Sequence, residues 1–158
     1  MYMGASARTR LCSRRARPIR MKRATGIGGV FFRAKDPKRL AEWYSKHLGL
    51  SVMDAGGSTQ MSIFSWRESG PKRRTGMTVW AAHPRSSDYF GAKNRQWMIN
   101  YRVADLELLL AQLRRNGVKE AKPMETSDFG KFGWIVDPEG NRVELWEPPA
   151  PERSRRRR

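Results

Sequence analysis

The sequence is short of the residues that build metal and redox centres. It has one cysteine and two histidines in 158 residues. Cys12 has no second cysteine to pair with, which excludes an intrachain disulfide and a cysteine-based zinc site. Such cysteine usage fits a reducing compartment, and a cytoplasmic location is expected. No apolar run approaches the roughly 18 residues that a membrane-spanning helix needs. Acidic residues are missing from both ends. Residues 1–25 hold eight Arg or Lys and no acid, and residues 153–158 hold five Arg. The net charge of +17 therefore belongs mostly to the ends: residues 26–152 carry 19 basic and 15 acidic side chains, about +4. That is an ordinary charge for a soluble domain. Phosphate loops, nucleophile elbows and zinc motifs are also missing. The run Gly26-Ile27-Gly28-Gly29 is too short for a nucleotide fingerprint, and it precedes a strand instead of following one.

The first 25 residues are open to three readings. Their Arg-rich, acid-free composition is that of an organellar transit peptide. It would equally serve as an electrostatic arm for nucleic acid or an anionic surface. The third reading is an upstream start, with Met21 as the true first residue and the periodic sequence beginning near Gly26. Residues 150–158 read as a solvated, disordered Arg-rich end.

What is present is a repeat. Val30-Phe31-Phe32-Arg33-Ala34-Lys35-Asp36 matches Ile99-Asn100-Tyr101-Arg102-Val103-Ala104-Asp105. Each copy reads as a strand followed by a helix. Asp36 and Asp105 are N-cap candidates, and Pro37 suits a first helical position. Leu40, Trp43, Tyr44 and Leu48 have helical spacing, as do Leu106, Leu109, Leu110 and Leu113. Gly49 and Gly117 stop the two helices. Strands are expected over Gln60–Trp66, Gly76–Ala82, Phe132–Asp137 and Arg142–Glu147, with a weaker one near Lys119–Pro123. Pro84–Gln96 is a turn-rich linker that could cover a cavity.

The sharpest motif is Asp137-Pro138-Glu139-Gly140-Asn141, a turn by its proline and glycine. The strand after it alternates: Val143 and Leu145 on one face, Arg142, Glu144 and Trp146 on the other. This hairpin, together with Asp36 before a helix ending His47-Leu48-Gly49-Leu50, resembles the vicinal oxygen chelate superfamily. That superfamily includes glyoxalases, extradiol dioxygenases and bleomycin-resistance proteins. The resemblance covers about residues 26–149. It implies one α+β domain of two tandem βαβββ modules, 26–84 and 97–149. These are expected to form an open, mostly antiparallel β-barrel cavity with the helices outside.

In the metal-dependent members, ligands come from the first and last strands of each module. Carried over, those positions are Gly29, Thr78, Met98 and Glu144, with a slip to Gly28 or Trp97 open. Glycine offers no donor, Met suits hard divalent ions poorly, and a Thr hydroxyl is weak. One glutamate does not make a tight site, so no metal and no cofactor are expected. His47 falls at a helix end, and His83 has the parity that points away from the cavity.

Inward parity gathers Phe31, Thr78, Trp80, Met98, Asn100, Glu144 and Trp146, with Arg102 on the parity of Met98. Trp66, Trp97 and Trp134 either line the cavity or fill the core. A Trp-walled cavity with one acid suits an apolar or aromatic molecule carrying a cationic or hydrogen-bonding group. The leading expectation is a metal-free small-molecule-binding protein, a homodimer by resemblance to the bleomycin-resistance branch. The first alternative is a lyase or isomerase with Glu144 as general base. The second is nucleic-acid or anionic-surface binding through the basic ends.

Overall fold

The computed structural model describes residues 23–67 and 75–150. The readings of residues 1–22, of residues 151–158 and of most of the polar loop before Thr75 lie outside the described residues. Strand β1 (Ala24–Ala34), helix α1 (Pro37–Leu48) and strands β2 (Val52–Gly56), β3 (Thr59–Arg67) and β4 (Thr75–Pro84) form the first module. Strand β5 (Trp97–Val103), helix α2 (Leu106–Arg115) and strands β6 (Glu120–Ser127), β7 (Gly130–Val136) and β8 (Arg142–Glu147) form the second.

Local chemistry sets both helix starts. The Asp36 carboxylate accepts from the Arg39 backbone N–H at 3.0 Å, and Asp105 accepts from Leu108 N–H at 2.9 Å. Each cap satisfies a donor that the first helical turn leaves without a partner. Gly49, at φ 69°, ends α1 in the left-handed conformation. The closing turn is tied by Asp137, whose carboxylate accepts from the backbone and side-chain N–H groups of Asn141 at 2.7 and 2.9 Å.

All the strands join one sheet in the order β2-β3-β4-β1-β5-β8-β7-β6. The pairings β1 with β4 and β5 with β8 are parallel; the other five are antiparallel. The modules meet through β1 and β5. Because β2 and β6 remain at opposite edges, the sheet is open and the expected barrel is not closed. Strand β2, which carries little hydrophobic alternation, was not among the segments expected to be strands.

Both helices lie on one face. Trp80 of β4 meets Phe32 and Tyr44 there, at ring centroid distances of 5.1 and 5.0 Å. In the second module Leu106, Leu109 and Leu110 of α2 bury against Val103 and Leu145. Each fully buried leucine contributes about 1.5–3 kcal/mol. The opposite face carries a separate core of Phe31, Ala81, Met98 and Trp134, closed by Phe90 from the linker. The helix-free face of the sheet is therefore where the expected cavity would open, and the linker lies over it.

Candidate functional site

The centre of the helix-free face is Glu144. Its side chain is 1 % exposed, and a carboxylate so deeply buried must be hydrogen-bonded. Asn100 Nδ2, from the neighbouring strand β5, donates to Oε1 at 2.6 Å. Trp134 Nε1, from β7, donates to Oε2 at 2.7 Å. The register produces both contacts, since Glu144 pairs with Asn100 on one side and Trp134 on the other. The third donor comes from outside the sheet: the Tyr89 hydroxyl, on the linker, also donates to Oε2.

Burial pushes the Glu144 carboxyl well above the usual carboxylate range. The bonds from Tyr89, Asn100 and Trp134, and the charge of Lys122, oppose that shift without cancelling it. Burial and the charge of Glu144 push the Tyr89 phenol up as well, so it remains a donor. The Tyr89 ring stacks on His83 at 5.4 Å and meets Trp134 edge-on at 6.4 Å. Lys122 Nζ lies 3.6 Å from the centroid of Trp134, a cation–π contact that adds positive charge at the edge of the site.

The linker is fastened from both modules. Arg33 of β1 donates to the carbonyls of Lys93 and Ser87 at 2.6 and 2.8 Å. Arg142 of β8 donates to the Tyr89 carbonyl at 2.9 Å. Phe90 follows Tyr89 inward and is fully buried.

Gly28 makes room for this arrangement. A Cβ there would fall 2.1 Å from Asn100 Oδ1 and 2.8 Å from Trp146 Cε3. The residue sits at a register irregularity between β1 and β5. The glycine run that is no nucleotide loop has a steric purpose at this position. Asn100 Oδ1 itself is buried and has no hydrogen-bond partner among the described residues.

Of the residues expected to line a cavity, Phe31, Met98, Asn100, Glu144 and Trp146 share the helix-free face. Phe31 pairs with Met98, and Trp146 stacks beside Phe132 at 6.4 Å while its Nε1 donates to the Phe129 carbonyl at 2.7 Å. Thr78 and Trp80 do not join them. Trp80 faces α1, and the Thr78 hydroxyl donates to the Ile27 carbonyl at 3.0 Å. The parity expected for β4 is therefore inverted, and His83 is inverted with it. The His83 ring lies on the helix-free face, 6.0 Å from Phe31 and 5.3 Å from Phe90. The cause is one misplaced equivalence. Matching Trp80 to Trp146 puts Thr78 opposite Glu144, whereas the strand pairing puts Ala81 there: Phe31 pairs with Ala81 as Asn100 pairs with Glu144.

Trp134 belongs to the site. Trp97 lies on the helix side, paired with Phe32, and Trp66 packs against Gly76 with the Arg102 guanidinium over its ring at 5.9 Å. Sequence reasoning missed Tyr89 as a donor. Its only signal was a pair of aromatic residues inside a turn-rich linker.

The corrected register also tests the fit of a metal. With Ala81 in place of Thr78, the four positions are Gly29, Ala81, Met98 and Glu144. Two offer no donor and a third offers only a thioether, which does not fit a hard divalent centre. Among the described residues, no three His, Cys, Asp or Glu side chains gather as such a centre would require.

Comparison with known proteins follows the fold. The model of the glyoxalase-like domain family matches residues 29–146. No curated protein sequence matches the chain. Among solved structures, a methylmalonyl-CoA epimerase from Streptomyces coelicolor is similar at TM-score 0.59 and 18 % identity, covering 80 % of this chain and 99 % of that one. A methylmalonyl-CoA epimerase from Mycobacterium tuberculosis reaches TM-score 0.55 at 19 % identity, covering 80 % and 90 %. A protein described as an NAD-dependent benzaldehyde dehydrogenase from Legionella pneumophila reaches 0.50 at 17 % identity, covering 77 % and 98 %. Likeness at such identities speaks for the fold alone. With its paired modules and a family match across nearly all the described residues, the chain belongs to the glyoxalase-like domain family of the vicinal oxygen chelate superfamily.

Proposed function

We propose that this protein binds a small, largely apolar molecule that carries a hydrogen-bond donor, with Glu144 as its polar anchor. One observation supports this above the others. Glu144 has three donors, of which two are built into the sheet and one, Tyr89, is supplied by the linker. A donor on a connecting segment is exchangeable in a way that a strand residue is not. A ligand entering beside Trp134, Phe31 and Met98 would replace the Tyr89 hydroxyl with its own donor. The aromatic walls would hold the remainder of the molecule. A homodimer is part of the same reading, and its mass in solution would be twice that of the chain.

The test is a screen of aromatic amines and phenols by tryptophan fluorescence. Tyr89→Ala should tighten binding, because no tethered group then competes. Glu144→Gln should weaken it by about tenfold, the loss of one charge-assisted hydrogen bond. If both variants bind as the wild type does, Glu144 is not the anchor.

A second reading is supported by the raised pKa of Glu144, which suits a general base in an isomerase or lyase step. The discriminating measurement is deuterium exchange at an acidic carbon of a bound ligand. Exchange that is present in the wild type and absent in Glu144→Gln selects the enzyme. Binding without exchange selects the binder.

A further inference from the structure

A second feature lies on the other side of the sheet. The exposed face of α1 carries Arg39, Trp43, Lys46 and His47 at helical spacing, with Lys35 just before the helix. These residues line a groove of about 580 Å³ that also includes Leu40. Trp43 is 52 % exposed, although α1 has a sheet to pack on. Its ring is held by neighbours: Tyr44 edge-on at 5.2 Å and His47 at 4.9 Å. A large aromatic surface is thus kept in solvent in a fixed orientation.

The charges around it are unspent. Among the described residues, the side chains of Lys35, Arg39 and Lys46 have no ion-pair or hydrogen-bond partner. Helix α2 is different: Glu107 is bonded to Lys131 at 2.7 Å and Arg114 to Glu120 at 2.6 Å. Two acids border the α1 groove. Asp36 is engaged as the helix cap, which leaves Glu42, among the described residues, as the one free opposing charge on this face.

We infer that the exposed face of α1 is a binding surface for single-stranded nucleic acid, with Trp43 as a stacking platform and Lys35, Arg39 and Lys46 tracking the phosphates. A stacking aromatic within a cationic groove is the combination that single strands require, and it reads no sequence. The eight steps from Arg39 to His47 rise about 12 Å. That is longer than one nucleotide of a strand, whose successive phosphates advance about 3.4 Å along the axis of a duplex and further when the strand is extended. The net charge of +17, concentrated in ends that hold no acid, adds long-range attraction for the same polyanion. An anionic membrane is the less favoured partner, because Ala41 is buried and Tyr44 packs on Trp80, which leaves Trp43 and Leu48 as the exposed large apolar side chains of α1, less than an interfacial helix buries.

The test uses the full chain and a labelled oligothymidylate of about 20 residues, titrated at several salt concentrations. Trp43→Ala should weaken binding at least about fivefold, the loss of one stacked base. The pair R39E/K46E should weaken it further and make the slope of log K against log salt shallower by about 1.4, two contacts at roughly 0.7 each. Glu42→Gln should tighten it. AMP should compete only weakly. These side chains are exposed, and matched melting curves would show that each variant is folded. Affinity and slope unchanged in Trp43→Ala and in R39E/K46E would place the contact on the Arg-rich ends and overturn the inference. So would AMP competing as tightly as the strand, or phosphatidylserine vesicles binding while the oligonucleotide does not.

Discussion

Two parallel strand pairs occupy the same place in the two modules. In the first, Phe31 of β1 lies beside Ala81 of β4; in the second, Asn100 of β5 lies beside Glu144 of β8. The neighbours correspond as well: Arg33 faces His83, and Arg102 faces Trp146. The backbone is repeated and the chemistry is not. The first pair is apolar and closes a core; the second holds a carboxylate under a linker tyrosine. The difference teaches where to look in a duplicated fold: the polar site stands where the repeat departs from its own pattern.

The comparison can be broken most forcefully at Glu144. Glu144→Ala leaves the Asn100, Trp134 and Tyr89 donors buried without an acceptor and should cost about 3 kcal/mol. Ala81→Gly, at the matching position, should cost about 1 kcal/mol or less. Urea midpoints measure both, and equal losses would erase the asymmetry.

Next in size is the response to pH, which should have opposite signs in the two halves. Glu144 is raised above its ordinary 4.5 by burial. The folded protein therefore keeps a proton that the unfolded chain releases, and stability is lost as pH rises through the folded value. His83 is lowered from 6.5 to about 4, also by burial. The unfolded chain then takes up a proton that the folded protein lacks, and stability is lost as pH falls from about 6.5 toward 4. Glu144→Gln should flatten the alkaline limb of a stability–pH curve, and His83→Gln the acid limb.

Tyr89→Phe sharpens the account of the linker. It removes one of three donors and should cost about 1 kcal/mol. The smallest effects test where the modules should agree. Asp36→Ala and Asp105→Ala each delete a helix cap and should each cost about 1 kcal/mol, equally in both halves. A large inequality between the caps would mean that the modules differ in more than their faces.

The legible parts of the sequence were those ruled by local chemistry. Caps, helix stops and the Asp137–Asn141 turn follow from side chains acting on nearby backbone. The alternation of β8 was readable because Val143 and Leu145 meet α2 while Glu144 meets the opposite face. The parity of β4 was not, because a tryptophan fits either face. Trp80 serves the helix side by packing on Tyr44, and Trp146 serves the other beside Phe132. Only strand pairing, a long-range property, fixes that register. Strand β2 was missed since most of it is exposed at the sheet edge. Tyr89 was missed as a donor because a linker has no period to reveal which side chains turn inward.

The most direct test of the account is a carbon-13 NMR titration of the glutamate side chains, with Glu144 assigned through its loss in Glu144→Gln. One carboxyl should titrate well above the ordinary range, and that resonance should be the one missing from the variant. Glutamates that all titrate within the ordinary range would mean that Glu144 is solvated, and that the second module holds no buried acid for a ligand to meet.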